Sequence, residues 1–248
     1  MSEDILTRLE RVDSAVVYDV MAHMGLRDQC LSSDIAPLDP AQSFVGRALT
    51  VQGSTAAPWG SPIGPALNYE LFHRVEAGSV IVIDTGGNQR SGPWGANTGR
   101  TALVAGARGV VIDGGTRDRR DLVAMGLPVF ARFVTPVLSH DCYEVKDIGV
   151  TISMAGQTVE RVEVRPGDYL HGDADGVVVV PYEIVETVTA AAEHAQAVEH
   201  EIQRRLAQGE SREEVDRTCD RWTYLRQVDL FVEGWPSLRL PVVERRSR

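Results

Sequence analysis

Two segments rich in glycine and charge hold the residues whose types and spacing could do chemistry. The first, Trp94-Gly95-Ala96-Asn97-Thr98-Gly99, has glycines that let backbone come close to a ligand. It also opens a helix whose unbonded amides favour an anion such as a small carboxylate. The second, Asp113-Gly114-Gly115-Thr116-Arg117-Asp118-Arg119-Arg120-Asp121, sets an arginine beside an acid, with another acid three residues on. That spacing places Asp118 and Asp121 on one helical face. Mg2+ takes oxygen ligands and keeps several waters, so one or two carboxylates suffice for a catalytic site, and Arg117 can grip a substrate carboxylate with two parallel bonds. Each segment also has a purely structural reading. Gly95 and Gly99 equally suit a turn and close helix packing, and the nine residues of the second segment equally suit a solvated charged turn with local ion pairs.

Other chemistries find little support. The six histidines, His23, His73, His140, His171, His194 and His200, form no HExxH-type arrangement and are read as non-ligands. Ser61, Ser91 and Ser139 lack the GxSxG context of a nucleophile elbow. Neither GxxxxGK[ST] nor a GxGxxG after a strand occurs, which argues against the two commonest nucleotide-binding loops. Cys30, Cys142 and Cys219 are widely separated and read as free thiols. A net charge of -10 with 43% hydrophobic residues describes an acidic globular protein with no basic field for nucleic acid. No apolar run approaches the roughly 18 residues of a membrane span, and the first ten residues carry no secretory signal, so a cytoplasmic protein is expected.

The elements that must position these residues follow from hydrophobic period. The 248 residues suit one compact domain with a tail. Ile5, Leu6, Leu9 and Val12 share a helical face, and Asp13 or Ser14 can cap a second helix that Gly25 closes. Residues 44–51 alternate as a first strand. Ile63, Leu67, Leu71, Phe72 and Val75 repeat at helical spacing, and residues 79–84 (SVIVID) form a strand buried on both faces. A helix over 97–107 and a buried strand over 109–113 repeat the unit, so parallel neighbours with right-handed crossovers are expected. A short helix over 121–125 and a strand over 127–132 follow. Short strands near 150–154, 158–164, 169–170 and 177–180 suggest antiparallel hairpins. A long helix over 182–208 is framed by Pro181 and Gly209. In a parallel sheet ligands bind beyond the carboxyl ends of the strands, so the loops 86–99 and 113–121 meet in one crevice. The tail, residues 210–248, holds Trp222, Tyr224, Leu225, Leu230, Phe231 and Trp235 and is too apolar for a disordered extension. It packs on its own subunit or on a neighbour.

From Gly95 there is one intervening position, Ala96, then twenty residues, Arg117-Asp118, two more residues and Asp121. This resembles the glycine-acid, twenty-residue gap, Arg-Asp, two-residue gap, acid motif of the 4-hydroxy-4-methyl-2-oxoglutarate aldolase family, which also includes the regulator of ribonuclease activity A. Val45-Gly46-Arg47-Ala48, Val111-Ile112-Asp113-Gly114 and the stretch from His171-Gly172-Asp173 to Pro181 are similar to further signatures of that family. The likeness runs from Leu9 to Gly209, making residues 1–209 the family domain and 210–248 an extension.

The resemblance implies an α/β fold, a swivelling β/β/α domain with a central mixed sheet, N-terminal helices and a long C-terminal helix. It implies a homo-oligomer, a trimer or a pair of trimers, with active sites between subunits. The implied activity is a metal-dependent lyase on a pyruvate-type 2-oxo acid, using Mg2+ or Mn2+. Position by position, Asp118 would bind the metal, Arg117 would meet the substrate carboxylate and 2-oxo oxygen, and Asp121 would orient a water of the metal. The amides of Asn97 and Thr98, just past Gly95, would cradle the pyruvoyl carboxylate. Glu193 or Glu199, on the last long helix of the next subunit, would complete the site, while Asp175 would shape a turn. The family also contains non-catalytic regulators of a ribonuclease, which usually lack the acid after the arginine, so Asp118 favours an enzyme. A biosynthetic enzyme with the same metal and enolate chemistry on another substrate is the third reading. One position departs from the motif: the acid after the glycine is Ala96.

Overall fold

The computed structural model describes residues 4–55, 66–139 and 142–226. Its central sheet has the order β1 (Ala36–Pro37), β5 (Val129–Val134), β4 (Gly109–Thr116), β3 (Ser79–Asp84), β2 (Phe44–Ser54), β9 (Tyr169–Asp173), β10 (Gly176–Val180). β2, β3, β4 and β5 run parallel, as the alternation of strand and helix requires, and the remaining pairs are antiparallel. β2 is long enough to serve two strands on its outer edge. Residues 44–47 pair with β9 and residues 51–54 with β6 (Glu144–Ile148).

Three layers result. On one face the hairpin of β7 (Ile152–Ala155) and β8 (Arg161–Val164) packs through Ile152, Met154, Val162 and Val164 onto Val80, Val82, Val111 and Phe130. On the other face, α3 (Ala66–Arg74), α4 (Ala96–Ala105) and α5 (Arg119–Ala124) cover Ile81, Ile83, Val110 and Ile112. SVIVID is apolar throughout because its alternate side chains enter two different cores. Each such side chain, fully buried, contributes about 1.5–3 kcal/mol. The α/β, β/β/α architecture is therefore the expected one.

The helical clasp comprises α1 (Ile5–Leu9) and α2 (Ser14–His23), which pack with α6 (Val185–Ala207) against Val45, Val178 and Val180. Val185, Val188, Ala192 and Ala195 recur at helical spacing and form the buried stripe of α6. Pro181 precedes a short 3-10 turn into this helix, and Gly209 follows it with a positive φ of 86°. After α7 (Arg212–Thr218), Trp222 stacks on His23 at 3.5 Å and Leu225 is buried in the clasp core. As far as residue 226, the tail thus packs on its own chain. Leu230, Phe231 and Trp235 lie outside the described residues, as does Ile63.

Three elements differ from expectation. β4 runs on through Gly114 and Gly115 to Thr116, where the sequence suggested a loop from Asp113. A Cβ on Gly114 would meet the Thr85 side chain at 2.7 Å, and one on Gly115 would meet the Phe133 ring at 2.4 Å. These glycines admit close neighbours rather than break the strand. Asp113 consequently faces the hairpin side, where it bonds the Ala155 amide and pairs with Arg132 and Arg161. β1 and β6 were not anticipated. β1 has only two residues, and β6 (EVKDI) is a charged edge strand with little apolar alternation. All three cysteines are free, as expected. Among the described residues no helix is long and apolar enough to cross a membrane.

Candidate active site

The two chemical segments do meet. Residues 91–95 are stitched to the end of β4: the Thr116 hydroxyl and the Arg117 amide both donate to the Trp94 carbonyl, each at 2.9 Å. Trp94 itself is 1% exposed and anchors the junction in the helix-side core. Gly95 is then the N-cap of α4, in extended backbone, and the chain turns into the helix at Ala96.

Asp118 stands beside that turn. It caps α5 with φ 57° and ψ 36°, the one non-glycine residue with positive φ among those described. Aspartate tolerates this left-handed region better than most residues, yet such conformations cost on the order of 1–3 kcal/mol and cluster at functional sites. The helix starts one residue after Asp118. The expected single face for Asp118 and Asp121 is therefore replaced by a cap and a first-turn acid, joined by the Asp121 amide donating to the Asp118 carbonyl at 3.0 Å.

The Asp118 carboxylate reaches back to α4, where its Oδ2 accepts from the Ala96 amide at 3.0 Å and from Arg117 Nε at 3.4 Å. No hydrogen bond to its Oδ1, or to the terminal guanidinium nitrogens of Arg117, is found among the described residues. Both side chains are about one-third exposed, at 36% and 33%. Asp121 is exposed, with no side-chain hydrogen bond among the described residues. The Asn97 and Thr98 amides occupy the first turn of α4, where no intrahelical carbonyl can reach them, so they present two donors beside the carboxylate.

Gly95 is required by this arrangement. A Cβ there would lie 2.6 Å from Asp118 Oδ2 and 3.0 Å from Arg117 Cγ. Gly99 serves the structural role considered for it, since its Cβ would strike Leu122 of α5 at 2.6 Å. Gly95→Ala is expected to push the Asp118 carboxylate and the Arg117 side chain out of place, weakening Mn2+ affinity while the unfolding midpoint in urea changes little, since both side chains can shift into solvent. Unchanged Mn2+ affinity would mean that the contact with Asp118 is not tight.

Glu193 and Glu199 do not join this group within the chain. Arg8 holds Glu193 through two bonds, at 2.9 and 2.6 Å, and keeps its carboxyl below the usual range. Glu199 pairs with Arg221 at 3.0 Å. Asp175 shapes the β9–β10 turn, its amide donating to Asp173. Trp94 and Thr116 carry the junction and were not anticipated, because a buried tryptophan carbonyl leaves no chemical signature in a sequence.

The cluster offers one unengaged carboxylate oxygen, a cation and two helix-terminal amides. Among the described residues no three His, Cys, Asp or Glu side chains converge as a metal cage. A single carboxylate beside open space suits a hard divalent ion that retains most of its waters.

The family model described as RraA-like, Aldolase/RraA, matches residues 14–179 of the chain. A relative from Halalkalibacterium halodurans named "Putative 4-hydroxy-4-methyl-2-oxoglutarate aldolase" is 31% identical over 204 residues, covering 82% of this chain and 89% of that one. An uncharacterized protein from Pseudomonas syringae superposes with a TM-score of 0.75 at 27% identity, over 88% of this chain and 95% of its own. RraAS2 of Streptomyces coelicolor, described as an unusual member of the RNase ES inhibitor RraA family, has a TM-score of 0.69 at 27% identity, over 82% and 98% of the two chains.

Proposed function

Because the chain belongs to the RraA-like, aldolase/RraA family, we propose that it is a divalent-metal-dependent carbon–carbon lyase that cleaves or decarboxylates a pyruvate-type 2-oxo acid. One observation carries the reading. The Asp118 carboxylate is held in left-handed backbone with one oxygen unengaged, next to Arg117 and the free amides that open α4. A strained acid with one oxygen left free supports a ligand-holding role for this turn.

In this reading Asp118 holds Mg2+ or Mn2+, and the missing Cβ of Gly95 leaves room for its carboxylate. When bound, the ion supplies Lewis-acid stabilisation of the negative charge that appears on the 2-oxo oxygen as the adjacent bond breaks. The Asn97 and Thr98 amides bind the substrate carboxylate at the positive end of the helix. The Arg117 guanidinium spans carboxylate and 2-oxo oxygen, so it orients the substrate and shares the enolate charge. Asp121, exposed in the first turn of α5, orients a water for proton delivery to the enolate carbon. Ala96 has no proton to give and cannot hold a water. The chain works as a trimer or a pair of trimers, a neighbouring subunit closing the open side of each site.

The test is pyruvate formation from oxaloacetate by wild type and by Ala96→Asp, with Mg2+. An acid restored at the first helical position is expected to raise kcat by at least about tenfold, within the range of general acid–base effects. No gain in a variant that folds normally would count against this mechanism.

A further inference from the structure

Two rungs join the segments of the site. The outer one runs from the Ala96 amide to Asp118 Oδ2 and is partly exposed, with the Asp118 side chain at 36%. The inner one lies two residues earlier on each segment, between Trp94 and Thr116, and is buried: Trp94 is 1% exposed and Thr116 0%. The inner rung carries two bonds where one would satisfy its acceptor. The Arg117 amide donates to the Trp94 carbonyl, and the Thr116 hydroxyl adds a second bond to the same oxygen, each at 2.9 Å. Thr116 is anchored from the other side as well, its carbonyl accepting from the Thr135 amide at 2.9 Å. Gly95 alone separates the Trp94 carbonyl from the Ala96 amide. Glycine is the backbone's most permissive residue, so the one that clears space for the Asp118 carboxylate also loosens the turn that must meet it.

We infer that Thr116 is a positioning residue of the site: its hydroxyl pins the Trp94 carbonyl and thereby sets where the Ala96 amide meets the Asp118 carboxylate. This role rests on the reading of Asp118 as the metal ligand. Among the described residues the carboxylate has two hydrogen bonds, from the Ala96 amide and from Arg117 Nε, and the shorter of them depends on this turn. In Thr116→Val a methyl group replaces the hydroxyl. Carbon approaches a carbonyl oxygen to about 3.3–3.6 Å, whereas the hydroxyl stands at 2.9 Å. The Trp94 carbonyl must therefore retreat by roughly half an ångström, which is about the tolerance of a catalytic constellation. It keeps its bond from the Arg117 amide, so no buried acceptor is orphaned and the fold survives.

Calorimetric titration of the full chain with Mn2+, joined to pyruvate release from oxaloacetate at saturating Mn2+, tests the role. Thr116→Val is expected to weaken Mn2+ binding about tenfold and to lower kcat about tenfold with KM little changed, as when a group that orients a metal ligand is lost. Thr116→Ser keeps the hydroxyl and should restore both. A merely structural role would lower the unfolding free energy in urea and leave Mn2+ affinity and kcat of the folded protein unchanged. Wild-type affinity and kcat in Thr116→Val would overturn the inference. Equal impairment of Thr116→Ser and Thr116→Val would also overturn it, since the hydroxyl would then not be the cause. Wild-type protein that binds Mn2+ but releases no pyruvate would remove the lyase reading, and the Mn2+ affinities of the two variants would still decide the role of Thr116. Wild-type protein that binds no Mn2+ would overturn both.

Discussion

Asp118→Asn is expected to lower metal-dependent pyruvate release by about a thousandfold or more, because several kcal/mol of charge stabilisation are lost. The variant should keep its fold. Asparagine is the other side chain that accepts left-handed backbone, and its amide oxygen can still accept from the Ala96 amide. What disappears is the charge. Mn2+ affinity and kcat/KM should therefore fall together while the unfolding free energy measured in urea stays within about 0.5 kcal/mol of wild type, the usual span for a change at an accessible position. Asp118→Ala should be less stable than Asp118→Asn, since alanine at φ 57° carries the steric penalty without a local hydrogen bond. Full activity in Asp118→Asn would remove the metal site from the mechanism.

Arg117→Lys is expected to cost about 100- to 1000-fold in kcat/KM, comparable to the removal of one donor from an oxyanion hole. Lysine keeps the charge but loses the planar fork that spans two oxygens. The guanidinium meets charge that grows as the bond breaks, so kcat should fall further than KM rises. Added guanidinium ion should partly restore Arg117→Ala, an effect that a loss of folding would not produce. A rise in KM alone would make Arg117 a ground-state anchor.

The architecture was legible where the hydrophobic period was strong. SVIVID and GVVID announced buried parallel strands, and Pro181 and Gly209 framed the long helix. The period failed where something else decided the outcome. β4 continues through two glycines because Thr85 and Phe133 fill the space that their side chains would take. β6 pairs along the far half of β2 despite its charges, since an edge strand needs backbone partners more than apolar faces. The candidate site was legible as two segments, and the sheet geometry alone placed them in one crevice. Its internal order was not. No spacing rule foretells that Asp118 is left-handed, that its carboxylate turns back to Ala96, or that Gly95 is a glycine because Asp118 and Arg117 lie against it. Those features depend on contacts between loops more than twenty residues apart in sequence.

Pyruvate release from 4-hydroxy-4-methyl-2-oxoglutarate, followed with Mg2+ or Mn2+ and again after chelation, addresses the central claim most directly. Metal-dependent release that chelator abolishes, that added metal restores and that Asp118→Asn lacks is the predicted result. Absence of release by a folded, metal-loaded protein, or release that neither chelator nor Asp118→Asn diminishes, would contradict it.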